Sequence, residues 1–402
     1  MLLKFIRQMT QPNLMSFEDT GIAFEAKSDS ELKKTHFVFS LMNNPTLVKA
    51  GTAAIRFGLK LKLPIKGLIK STLFYQFCGG ESIKDCEETI QHLGKYNVKT
   101  ILDYSAEGQE EEKSFDHTME EALRNADFAK GNPNIPFVVV KLTGLGSRTL
   151  MARIQEGKEI SRSEKNGFEK FKNRVDKIAQ RAYDNNLKFM IDAEETWIQD
   201  VVDEITYNMM KKYNREKCVV YATYQFYRHE ALDLMKKAFN DVTDAGCYFG
   251  AKFVRGAYME KERERAREKG YQDPIQPDKE ATDRDYDLAQ EFVIENIERF
   301  SVCSGTHNEN SSAKLAHMMI EKGIEKGDDR VYFSQLLGMS DNISFKLSKE
   351  GYNVAKYVPY GPVEKVLPYL FRRAEENTSI AGQSGREFTL VKREIKRRKA
   401  TK

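Results

Sequence analysis

Apolar and polar positions follow two rhythms along this chain. Up to residue 97 the apolar residues gather in helical groups, as in Leu32, Phe37, Phe39 and Leu41 ahead of a break at 43–45, and this pattern predicts helices. From residue 98 onward, short apolar runs alternate with long charged stretches. The runs are VKTILDYSAE (98–107), PFVVVKLTGL (136–145), LKFMIDAEE (187–195), CVVYATYQF (218–226), YFGAKFVRGAY (248–258), SVCSGTHN (301–308), RVYFSQLLGM (330–339) and NVAKYVPYG (353–361). Between them lie helix-patterned segments such as GFEKFKNRVDKIAQRAYDNN and ALDLMKKAFNDVTDAG. Strands that alternate with helices pair in parallel. Eight such units predict a closed (β/α)8 barrel, with an open doubly wound sheet as the alternative. No G-x-G-x-x-G follows the first run, which counts against a nicotinamide site.

Three parts follow from this reading: a basic α-helical arm over 1–97, a catalytic barrel over 98–385, and a loose basic tail over 386–402. The 402 residues are 40% hydrophobic and 31% charged, which excludes collagen-like, low-complexity and integral-membrane classes. A net charge of +4 is too small to point to a nucleic-acid partner. Its distribution says more. Between residues 32 and 80 there is no acidic residue, but there are Lys33, Lys34, Lys49, Arg56, Lys60, Lys62, Lys66 and Lys70. Within this stretch AAIRFGLKLKLPIKGLIKSTLFYQF has two readings: an interfacial segment drawn to anionic lipid, or a helix pair packed on the core with a basic outer face. The cysteines Cys78, Cys86, Cys218, Cys247 and Cys303 form no C-x-x-C pair. Neither a disulfide framework nor a zinc site is expected, and a reducing compartment fits. The N-terminal MLLKFIRQMTQPNLMSF lacks the apolar core of a secretory signal and leaves organelle import open.

Barrel chemistry sits where the strands end, on the C-terminal face. Nearly every run closes on polar residues after an apolar body: Glu107, Lys141, Asp192 with Glu194 and Glu195, Gln225, Lys252 with Arg255 and Tyr258, Thr306 with His307 and Asn308, Gln335, and Tyr357. Any one of these can be polar merely because strand ends meet water. Together, around one mouth, they make the lining of a pocket for an anionic organic ligand. Trp197 and its neighbouring glutamates read as structural, and KERERAREKG reads as a solvated helix face.

After the eighth run, GPVEKVLPYLFRRAEEN offers Pro362 as a helix start and Val363, Val366, Leu367, Leu370 and Phe371 as an apolar face. Arg372 and Glu376 stand four apart, the spacing of an exposed ion pair. Arg372 and Arg373 point about 100° apart on a helix, so both reach one carboxylate only if that helix crosses the barrel mouth. Residue types leave both readings open.

Six motifs resemble the proline dehydrogenase family, in order from about residue 98 to 380: LTGLG after Lys141, IDAEE at 191–195, KFVRGAY at 252–258, GTHNEN at 305–310, QLLGMSDNISF at 335–345 and KYVPYGPVEKVLPYLFRRAEEN at 356–377. The last block is the specific one, and the arm is similar to that of the stand-alone, eukaryotic-like branch. The resemblance implies a distorted barrel with FAD held noncovalently at the strand ends, oxidation of L-proline to Δ1-pyrroline-5-carboxylate, and electrons passed to membrane quinone. It also implies that the last helix lies over the mouth. Arg372, Arg373 and Lys141 would then clamp the substrate carboxylate, and Asp192 and Lys252 would join Lys141 as catalytic residues. Tyr357, Tyr369 and Leu336 would wall the ring, while Glu107 pairs with Arg372 on closure. The implied cofactor contacts are Ala193, Gln225, Lys252, Arg255, Gly256, Ala257, Thr306, His307, Asn308, Gln335 and Glu376, with no metal. Two departures stand out. Other branches read R-L-V-K-G-A-Y where this chain has Lys252 and Arg255 exchanged, and their flavin-contacting glutamine aligns with Ser334 rather than Gln335.

The expected place is the cytoplasm, peripheral to the inner face of the membrane, with the mitochondrial matrix or inner membrane as the alternative. Two other functions remain compatible with the residues: a lyase or aldolase using Lys141 for a Schiff base, and a 4-hydroxyproline dehydrogenase.

Overall fold

A computed structural model describes residues 15–61, 64–105, 110–379 and 383–401, the side chains at 59, 375–379 and 383–384 lying outside that description. Eight strands, β1 (Val98–Tyr104), β2 (Phe137–Lys141), β3 (Lys188–Asp192), β4 (Val220–Gln225), β5 (Phe249–Val254), β6 (Phe300–Gly305), β7 (Val331–Leu336) and β8 (Val354–Tyr360), close in sequence order into a barrel. Every neighbouring pair is parallel, and β8 returns to β1 in register from Val98↔Val354 to Tyr104↔Tyr360. The open-sheet alternative is thereby excluded.

The strands read as continuous apolar runs because both of their faces are covered. Ile101, Phe137, Val139, Met190, Tyr221, Cys303, Tyr332, Ala355 and Tyr357 fill the interior. The alternate residues, such as Leu102, Val138, Ile191, Phe253, Val302 and Phe333, pack against the helical layer. The barrel floor is plugged by rings: Phe137 meets Tyr332 edge-on at 4.9 Å and Tyr221 at 5.8 Å. Only the opposite end is left for chemistry.

Helices of the outer layer begin where the sequence offers caps. Arg162–Asp184 starts on Ser161, whose hydroxyl accepts from the Glu164 N–H while the Glu164 carboxylate accepts from the Ser161 N–H.

The arm contributes α1 (Asp29–Met42), α2 (Pro45–Lys60) and a helical run from Lys66 to Phe77. Its buried Val38, Phe39, Met42, Ile69, Phe74 and Phe77 join Val363, Val366, Leu367, Leu370 and Phe371 of a later helix, α3 (Val363–Ser379), in one apolar cluster. Lys33, Lys34, Lys49, Lys60, Lys66 and Lys70 face outward. Two expectations need correction. The C-terminal segment is not loose: α4 (Gln383–Ala400) buries Leu390 and Val391 against Ala23, Phe24 and Leu32. Nor is KERERAREKG only a solvated face, because Glu262 is fully buried and accepts from the Thr196 N–H at 2.7 Å and hydroxyl at 2.6 Å. The N-terminal segment read for targeting falls, up to residue 14, outside the described residues. All five cysteines are unpaired thiols.

Candidate active site

Strand alternation aims inward residues of five strands at one point. Register pairs Lys141 of β2 with Asp192 of β3, and Lys141 Nζ donates to Asp192 Oδ2 at 3.1 Å. From β5, across the mouth, Lys252 Nζ donates to Asp192 Oδ1. From β8, the Tyr357 hydroxyl donates to the same carboxylate at 2.9 and 3.1 Å and accepts from Lys252 at 3.2 Å. Burial works against ionisation of Asp192, but the ammonium groups of Lys252 and Lys141 outweigh it and hold the carboxyl down at about 2. Burial, with Asp192 beside it, pushes the Tyr357 phenol well above its ordinary value. The result is a desolvated, fully ionised carboxylate between two cations.

Asp103 of β1 completes this cluster and escaped the sequence reading. Its Oδ2 lies 3.6 Å from Lys141 Nζ and accepts from Ser105 at 3.0 Å. Burial raises its carboxyl despite Lys141. The sequence reading placed the tip of the first run at Glu107, three residues beyond the strand's end at Tyr104, and Glu107 lies outside the described residues. Counting alternate positions forward from Ile101 would have found Asp103 instead.

The β4–β6 rim carries a second set. Gln225 donates to the Glu194 carbonyl at 2.8 Å, and its own carbonyl accepts from the Ala257 N–H at 3.4 Å. The Arg255 guanidinium reaches Asp283 at 2.6 Å, the Thr306 hydroxyl at 2.6 Å and Ser311 at 3.0 Å, with its centre 4.4 Å over the Tyr286 ring. Gly256 adopts φ +133, and a Cβ there would meet the Tyr227 ring at 2.5 Å. Only glycine fits, and it leaves the Gly256–Ala257 backbone exposed at the rim. His307 Nδ1 is 2.9 Å from Ser340 Oγ. Burial first, then the nearby charges of Arg373, Lys356 and Arg255, lower the imidazole to about 3, so it is neutral. Ala193 is buried beside Asp192.

The packing of the arginine helix distinguishes the two readings left open by residue types. α3 lies over the mouth: Tyr369 is buried in the cluster shared with the arm, and Leu336 touches both that cluster and the barrel interior around Tyr357. Arg372 lines a cavity of about 520 Å³ together with Lys141, Thr143, Glu194 and Tyr258. Arg373 sits with its guanidinium 5.4 Å from the Tyr369 ring. Glu194, read as structural, faces this cavity and accepts from the Thr143 hydroxyl at 2.7 Å. Burial pushes its carboxyl up to about 7.

Two expected cofactor contacts, Gln335 and Asn308, have their side chains engaged elsewhere. Gln335 points outward into the helical layer, where it donates to the Thr306 carbonyl at 3.1 Å and accepts from Ser344 at 2.8 Å. One strand residue out of phase turns a side chain to the opposite face, and the inward neighbour is Ser334. The Asn308 side chain caps the next helix, accepting from the Asn310 and Ser311 N–H groups at 2.9 and 3.2 Å. The Glu376 side chain lies outside the described residues. Among the described residues, no group of three or more His, Cys, Asp or Glu side chains could hold a metal.

A closed parallel barrel whose mouth gathers lysines and carboxylates beneath a helix is a scaffold of small-molecule enzymes. Comparison with known proteins narrows it. The profile described as proline dehydrogenase matches residues 86–386, and the chain belongs to that family, among the oxidoreductases that act on proline. It is 32% identical over 96% of its length to a hydroxyproline dehydrogenase of Xenopus laevis, covering 90% of that protein. It is 41% identical over 63% of its length to the mitochondrial proline dehydrogenase 1 of Homo sapiens, covering 42% of it. The proline utilization A structure of Bdellovibrio bacteriovorus superposes with a TM-score of 0.70 over 94% of this chain at 18% identity. This chain spans 41% of that one, and at such identity the likeness shows the fold.

The family implies a flavin, and the rim fits one. An exposed Gly256–Ala257 backbone beside Lys252 and Arg255 offers donors and cations with no side chain in the way, which suits a planar heterocycle that gains negative charge on reduction.

Proposed function

We propose that this protein oxidises L-proline to Δ1-pyrroline-5-carboxylate with noncovalently bound FAD and passes the electrons to membrane quinone, the first step of proline catabolism. The observation that carries the proposal is the convergence of Lys141, Asp192, Lys252 and Tyr357 beneath a helix bearing Arg372 and Arg373.

Proline is a compact zwitterion, so its recognition needs a planar partner for the carboxylate and an apolar wall for the ring. Arg372 and Arg373 supply the first with Lys141. Tyr357, Tyr369 and Leu336 supply the second. Charge-assisted hydrogen bonds contribute about 1.5–3 kcal/mol each, against about 0.8 kcal/mol for each buried methylene. The arginines therefore decide affinity. Bound FAD would supply the acceptor for the hydride on the carbon next to nitrogen. Lys252 and Arg255 provide the positive field on that side of the mouth, with Gln225, Gly256, Ala257, Thr306 and His307 holding the group. Asp192, kept ionised, fixes the Lys252 ammonium and the Tyr357 phenol in place.

We read the bulk of Tyr357, whose hydroxyl is tied to Asp192 and Lys252, as the feature that favours proline over 4-hydroxyproline. Tandem arginines over the mouth are not needed by a Schiff-base lyase. Between the two placements considered, the mitochondrial names of the relatives in Homo sapiens and Dictyostelium discoideum support the mitochondrial one. Membrane contact is proposed for the arm, where Phe57, Leu61 and Leu68 are 63%, 54% and 65% exposed among lysines. No helix among the described residues is long and apolar enough to cross a membrane, and the contact proposed for the arm is a peripheral one.

Steady-state dye reduction with L-proline and trans-4-hydroxy-L-proline tests the assignment. Proline should be preferred by more than tenfold, and Tyr357→Ser should narrow the gap. A colourless protein that borohydride traps at Lys141 would support the lyase instead.

A further inference from the structure

His307 is held by residues that the reaction itself does not use. Its Nδ1 lies 2.9 Å from Ser340 Oγ. Ser340 sits at the start of helix Asp341–Lys349 with φ +49, a left-handed conformation that a serine adopts only when its surroundings impose it. What imposes it is Glu387 of α4: its Oε1 accepts from the Ser340 N–H at 2.5 Å and from the Ser340 hydroxyl at 3.2 Å. Glu387 is 4% exposed. The short bond from the backbone N–H makes Oε1 an acceptor whatever the protonation of the other carboxyl oxygen. Ser340 has one hydroxyl proton, and that proton goes to Glu387. Its oxygen can then only accept from the imidazole, so Nδ1 must carry the hydrogen. Among the described residues no hydrogen bond is made to Nε2.

We infer that Glu387 and Ser340 form a relay from the C-terminal helix that locks His307 in its Nδ1–H tautomer, so that Nε2 meets the ligand as an acceptor and not as a donor. The matching ligand group is a hydroxyl or ring N–H, both present on a flavin with its polyol chain, and in this respect the inference rests on the flavin reading. Glu387 and Ser340 are positioning residues. Arg386, next in the chain, ties the same helix to Glu309 at 3.0 Å, directly after the GTHN motif. The C-terminal helix thereby sets the geometry of the rim from outside the barrel.

The test is long-range 1H–15N correlation on the full-length holoenzyme labelled with 15N-histidine, the His307 signal being assigned with His307→Gln. The expected result is a protonated Nδ1 and a bare Nε2 in wild type. Ser340→Ala and Glu387→Ala should let the other tautomer appear, and Glu387→Gln, which keeps the accepting oxygen, should restore the wild-type pattern. An Nε2–H imidazole in wild type, or a tautomer unchanged in Ser340→Ala, would overturn the relay. Ser340→Ala keeps the backbone bond to Glu387, so it decides the matter even if Glu387→Ala fails to fold. FAD titration of the apoprotein separates the two claims: an Nδ1–H signal that FAD leaves unmoved would uphold the relay while removing His307 from the flavin site.

Discussion

Two lysines, Lys252 and Lys356, are buried within their strands, and each is paired with an aspartate, yet they serve opposite ends. Lys252 faces inward and shares Asp192 with Lys141 and Tyr357; Lys141 keeps 23% of its side chain exposed and opens onto a cavity. Lys356 faces outward, bonds the Met339 carbonyl and pairs with Asp341 at 2.8 Å; Asp341 in turn holds Lys27 at 3.3 Å. That second cluster lines no part of the cavity at the mouth and stitches an N-terminal segment to a barrel loop. Burial of an ion pair does not by itself mark a functional site. The strand face it occupies, and the space beside it, do.

The sharpest way to break the comparison is to remove each ammonium. Lys252→Met should lower proline turnover by about 10²–10³-fold, as loss of a preorganised charge at a reacting centre does. Lys356→Met should instead cost about 3–5 kcal/mol of stability, because it leaves a buried carboxylate half-paired, with turnover per folded molecule nearly unchanged. Denaturant melts and steady-state rates on both variants check this, and an exchange of the two phenotypes would refute the division of roles. Next, Arg373→Ala should cost about 2–5 kcal/mol in kcat/KM, and a change under threefold would show that the lid helix does not meet the substrate.

The smaller effects lie in pH dependence. Asp192 is depressed to about 2 from 3.8, so the folded state binds fewer protons than the unfolded one between those values. Its stabilisation is complete above 3.8 and is lost as pH falls towards 2. Asp192→Asn should lack that acid-side loss in melts. Glu387 shifts the other way, to about 7 from 4.5, chiefly through burial. The folded state then binds more protons across that window, and stability declines as pH rises through it. Glu387→Gln should flatten the decline.

The barrel was legible because eight doubly covered strands give eight apolar runs, and their polar ends announced Lys141, Asp192, Lys252 and Tyr357. Asp103 was hidden by an overlong first run, and Gln335 was admitted by its place at a strand end although its parity points it outward. The lid could not be placed from residue types, since Arg372 and Glu376 have the spacing of an ordinary surface pair. Only the packing of α3 between arm and mouth distinguishes the two readings. The basic C-terminal segment looked solvated because its two buried apolar residues, Leu390 and Val391, are outnumbered by cations.

The most direct test of the mouth as a proline-oxidising flavin site is anaerobic titration of the FAD-loaded protein with L-proline. Visible flavin absorbance should bleach with L-proline and persist with D-proline, and the midpoint should move to higher proline concentration in Arg373→Ala. Absorbance that L-proline leaves unchanged in folded, FAD-loaded protein would contradict the account.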